Sequence, residues 1–119
     1  MMIDEKLKEE LENGFRQSLI LGVIASARAI ADRKHPPVFT DTNHGYGVLH
    51  EEVKEVMREI ESVEMLEQTI DNLVIARDII SLEKSLGEMK QKAIRAIDEL
   101  AQVAAMTDKF IYSIRQGEK

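Results

Sequence analysis

Apolar residues recur every three or four positions along almost the whole chain, and only one hard stop, Pro36-Pro37, interrupts them. That spacing is the helical repeat of about 3.6 residues, and no stretch alternates as a half-buried strand does. The pattern therefore predicts an all-α protein. Leu7, Leu11, Phe15, Leu19, Val23, Ala27 and Ile30 mark a first helix over about residues 3–32, with Asn13-Gly14 a candidate kink. It must stop near His35, because the two prolines remove backbone donors and disfavour helical geometry in the residue before them. A second helix is predicted over about 45–60, capped by Thr42 or Asn43. Ser62 and Glu64 suggest a new start, although no Gly or Pro separates helices two and three and a continuous helix is the alternative; Leu66 to Leu86 cover the third helix, which Gly87 would end. A fourth runs over about 88–116. These four helices predict a single bundle-like domain over 1–119.

Two acidic segments stand out against this background. Glu52 and Glu55 are three apart, as are Glu99 and Gln102, so on helices each pair shares a face. On a helical wheel Glu52 falls inside the edge of the apolar arc made by Val48, Leu49, Val53, Val56, Met57 and Ile60. Glu55 lies just outside that edge, while Glu51 and Lys54 point toward solvent. Glu99 projects into the apolar arc of the last helix, between Val103 and Met106. A carboxylate buried alone costs several kcal/mol or takes a proton. Two such helices packed together offer a divided site for Mg²⁺. Asp108 also lands on an apolar side of its helix, which predicts a buried partner for Arg or a subunit contact.

Glu51-Glu52-x-x-Glu55 and the later Glu99 resemble the signature of the all-α, MazG-like nucleoside triphosphate pyrophosphohydrolases, which carry Glu-Glu-x-x-Glu on one helix and Glu-x-x-Asp on another. Gly45-Tyr46-Gly47-Val48-Leu49 and Gln102-Val103-Ala104-Ala105-Met106 are similar to the phage-type branch. The chain departs from the family pattern at Gln102, where the family has Asp, and in the longer stretch between Glu55 and Glu99, which implies an additional helix. The resemblance covers roughly residues 44–60 and 95–111. It implies Glu52, Glu55 and Glu99 as ligands of Mg²⁺ or Mn²⁺ with Gln102 as a weaker fourth, and Glu51 or Glu55 as the base that activates water. It further implies a nucleoside triphosphate substrate cleaved to monophosphate and pyrophosphate, and a homodimer or homotetramer. Lys54, Arg58 and Lys109 are the candidate phosphate-side cations. The segment from Arg33 to Tyr46, with Tyr46 as a stacking residue, is the candidate grip on the nucleotide. The rival expectation is a helical assembly protein, or a metal-nucleotide binder without turnover.

Composition narrows the partners. The net charge of −6 leaves no basic cluster to neutralise a nucleic-acid backbone. Without cysteine there is no disulfide framework or thiolate chemistry, and a reducing cytoplasm is the expected location. The longest apolar run, Leu19 to Ala25, is far short of the roughly 20 residues that span a bilayer, so no membrane partner is expected. His50-Glu51-Glu52-Val53-Lys54 opens like a zinc-protease motif, but Lys54 stands where the second His belongs.

Overall fold

The computed structural model describes residues 4–34 and 38–117, and these form three α-helices with no strand among them. Helix α1 spans Glu5–Lys34, α2 spans Thr42–Ala76, and α3 spans Ile79–Gly117. The predicted stop at His35-Pro36-Pro37 lies outside the described residues. No described helix is long and apolar enough to cross a membrane.

The all-α expectation holds, but three helices replace the four predicted. No helix breaker separates Ile60 from Ser62, and α2 runs unbroken to Ala76. The chain reverses instead at Arg77, in the left-handed region at φ 56°, ψ 33°. Its N–H reaches the Val74 carbonyl at 3.2 Å and that of Asp78 reaches Leu73 at 3.2 Å, the paired bonds of a Schellman cap. Asp78 then caps α3, its Oδ1 accepting from the Ser81 N–H at 3.1 Å. That bond, first among its causes, holds the Asp78 carboxyl below its ordinary pKa. Gly87, expected as a stop, lies inside α3. Its intrinsic cost of about 1 kcal/mol is small beside the packing of a long helix.

The N-terminus of α2 is also placed differently. Asp41, with extended backbone, is the cap, and its carboxylate accepts from the His44 N–H at 2.8 Å. Its charge suits the positive end of the helix macrodipole, while Thr42 and Asn43 become the first helical residues. The candidate kink at Asn13-Gly14 does not interrupt α1.

Helices α2 and α3 form a hairpin joined by two residues, and α1 packs against α3. The small core sits where the C-terminal part of α1 meets the hairpin: Ala31, Phe39 and Met106 are buried together, with Val48, Leu49 and Phe110 against them. Ala101 and the fully buried Ala105 keep that face of α3 low. Gly45 is required by close approach, because a Cβ there would meet the rings of Phe39 and Phe110 at 3.1 Å. The segment before α2 is tied down by the Phe39 N–H, which donates to Ser113 Oγ at 2.9 Å. Asp108 is exposed, which corrects the expectation of a buried partner for Arg within the chain.

Candidate metal centre

The hairpin brings the two acidic segments to the same height. Twenty-one residues separate Glu55 from the end of α2 at Ala76, and twenty separate the start of α3 at Ile79 from Glu99. The long stretch between the motifs is thus taken up by two nearly equal helical arms, and no additional helix is needed. Glu59 and Lys92 meet across the same hairpin one turn further out, at 3.9 Å. That is an ion pair too long for a hydrogen bond, so Glu59 Oε2 remains unbonded.

Glu52, Glu55 and Glu99 each present a carboxylate oxygen, and these three atoms lie within 4.8 Å of one another. Ala27, Ile30 and Ala31 of α1 and Met106 of α3 wall the adjoining cavity, whose polar lining is Glu52, Glu55, Asp98 and Gln102. Glu52 Oε2 and Glu99 Oε2 are shielded from solvent and accept no hydrogen bond. Burial, and then repulsion from Glu55, raises the Glu52 pKa. Burial first, then a hydrogen bond with Glu55 and the charges of Glu55, Glu52 and Asp98, pushes Glu99 up to about 7. The two observations on Glu99 agree once the proton is counted: as a carboxylate it only accepts, and it bonds Glu55 only when protonated. Three converging carboxylates with unpartnered oxygens suit a hard divalent cation, which takes oxygen donors and replaces the proton Glu99 would otherwise hold.

The remaining sequence candidates divide. Gln102 lines the cavity, but its Nε2 donates to Asp98 Oδ2 at 3.3 Å, one turn back on α3. Asp98 was not assigned a role from sequence; its position four residues before Gln102 was the available signal. It places a carboxylate at the cavity beside the neutral amide of Gln102. Glu51 stands apart from the three acids, its side chain 65% exposed and paired with Lys54 Nζ at 3.8 Å. Arg58 is exposed on the helix surface, and Tyr46 stacks on His50 with ring centroids 5.7 Å apart.

Lys109 differs most from its expected role, because it is fully buried. Its Nζ lies 3.7 Å from Asp32 Oδ1 and 4.9 Å from the centroid of the Phe39 ring, without a hydrogen bond. Burial lowers its pKa, Asp32 opposes that shift, and Arg28 reinforces it. Asp32 is itself gripped by Arg28 Nε at 3.1 Å. This lysine fixes α1 and the Phe39 segment onto α3 and is not open to a phosphate.

Comparison with known proteins adds no relative: no family model, curated protein or solved structure matches this chain.

Proposed function

We propose that this chain is a Mg²⁺-dependent nucleoside triphosphate pyrophosphohydrolase that releases pyrophosphate and leaves the nucleoside monophosphate. The observation that carries the reading is the convergence of Glu52, Glu55 and Glu99 with two shielded, unpartnered oxygens. These three acids hold the ion, with Gln102 and Asp98 at its margin. Bound Mg²⁺ supplies charge neutralisation for the phosphates and orients water. Glu55, which stands in the acidic cluster, is the better base than the solvent-facing Glu51. Lys54 and Arg58, exposed on α2, remain the phosphate-side cations, and Tyr46 the stacking residue.

The test is incubation with a panel of ribo- and deoxyribonucleoside triphosphates and Mg²⁺ or Mn²⁺, with products followed by mass spectrometry. Pyrophosphate and monophosphate that disappear in Glu52→Ala support the enzyme; folded protein without turnover on any nucleotide refutes it.

Two observations favour a second reading, a metal-nucleotide binder without turnover: Lys109 is enclosed, and the Gln102 amide is committed to Asp98. Metal-dependent nucleotide binding with no product identifies that case.

A further inference from the structure

The acidic site needs positive charge that its own turn does not supply. Three carboxylates outweigh one divalent cation before any phosphate arrives, and Lys109 is enclosed. On α3, Lys84, Lys90, Arg95 and Arg115 are exposed, whereas Lys92 is partly withdrawn against α2, its side chain 33% exposed. Lys92 stands seven residues before Glu99, so a drift of only about 20° separates them and both issue from the hairpin-facing side of α3. Glu59 likewise stands seven residues after Glu52 on α2.

The pair that holds Lys92 is incomplete. Its Nζ lies 3.9 Å from Glu59 Oε2, beyond hydrogen-bond reach, and that oxygen is shielded from solvent with no donor. Glu59 is one turn from Glu55, a rise of about 6 Å, so the ammonium stands within a polyphosphate's reach of the three acids. Lys92 also lines an open groove of about 480 Å³ between the two arms, with Ser62 and Thr69 on the α2 side. Those two hydroxyls are turned back onto the carbonyls of Arg58 and Met65, which leaves Lys92 as the cation of the groove. Glu88, one turn further out on α3, closes it to a longer anionic chain.

We propose that Lys92 is the cation that holds the leaving pyrophosphate, exchanging Glu59 for the two outer phosphates when the substrate binds; this rests on the hydrolase reading above. Water adds to the α-phosphorus and gives a proton to Glu55. The bond from that phosphorus to the bridging oxygen breaks, and the oxygen departs with the outer phosphates, its new negative charge met by Lys92.

Isothermal titration of inorganic pyrophosphate into the full chain in Mg²⁺ tests it. Lys92→Met should weaken binding about tenfold, while Lys90→Met, at an exposed position, should match the parent. Glu59→Gln frees the ammonium and should bind pyrophosphate at least as tightly as the parent. A pair that only braces the hairpin predicts equal losses from Lys92→Met and Glu59→Gln, and that result overturns the proposal. So does a folded parent that binds no pyrophosphate, or Lys92→Met that binds like the parent. Acetylation of the parent provides a readout free of folding defects: Mg²⁺ with pyrophosphate should protect Lys92, and unchanged labelling there overturns the assignment. The two readings fail separately. Lys92-dependent pyrophosphate binding without turnover of any nucleotide refutes the hydrolase alone; turnover with undiminished pyrophosphate affinity in Lys92→Met refutes the role of Lys92 alone.

Discussion

Glu55 and Glu99 face each other across the α2–α3 hairpin with carboxylate oxygens within 4.8 Å, and burial together with the neighbouring carboxylates pushes the Glu99 pKa up to about 7. An acid whose folded-state pKa is raised binds more protons when folded than when unfolded. Its contribution is therefore complete below its ordinary value of 4.5 and is lost as pH rises toward about 7. With metal chelated, the urea midpoint should fall between pH 5 and pH 8 and level off above. Partial exposure of Glu99 reduces the effect to on the order of 1–2 kcal/mol. Glu99→Gln should flatten the profile, and Mg²⁺ or Mn²⁺ should restore the parent's midpoint at pH 8. A midpoint that rises over this interval in the chelated parent protein contradicts the raised Glu99 pKa.

Gln102→Asp adds a carboxylate to the cavity while removing the amide bond to Asp98. Mn²⁺ affinity, measured by electron paramagnetic resonance, should increase. Stability in chelator should fall by about 0.5 kcal/mol from like charges one turn apart, and more if the new carboxylate is shielded with Glu99. Unchanged affinity would place position 102 outside the ion's reach.

Lys109 should behave as a structural residue. Lys109→Met keeps the packing and removes a buried, poorly bonded charge, so denaturant unfolding should find it neutral or more stable by about 1 kcal/mol. Lys109→Ala opens a cavity and should cost about 2–4 kcal/mol. Equal large losses in both variants would show that the Asp32 charge pair, not packing, holds α1 to α3.

The hairpin carries its glycine in an unhelpful place. Arg77 holds the left-handed turn and Gly87 sits mid-helix in open space. Arg77→Gly should stabilise by about 1 kcal/mol, and Gly87→Ala by about 0.5–1 kcal/mol. Thermal unfolding of the two single variants and the double variant checks both values and their additivity across ten residues.

The inward acids were legible because a helical wheel needs only local geometry, and Glu52 and Glu99 are indeed partly withdrawn from solvent beside apolar neighbours. The α2–α3 turn was harder to see, since apolar spacing continues through Leu73 and Leu82 and the residue at the left-handed position is Arg instead of Gly. Asp78 followed by Ile79 is a cap signal, and an expectation built on Gly87 alone passes over it. The enclosure of Lys109 could not be read locally, because it depends on where Asp32 of α1 and Phe39 arrive in three dimensions. Asp108 illustrates the converse: a wheel marks the side of a helix, but only an opposing element can cover it.

The near-equal arms beyond Glu55 and Glu99 set a rule for how this chain can change length. Residues added to one arm alone would slide one acidic turn past the other and rotate it by about 100° per residue. Matched additions of about seven to each arm would lengthen the hairpin and keep both turns in phase. The sequence distance between the two acidic motifs is thus elastic in paired steps and rigid otherwise, and a search for distant relatives should allow large gaps there, in steps of about fourteen residues.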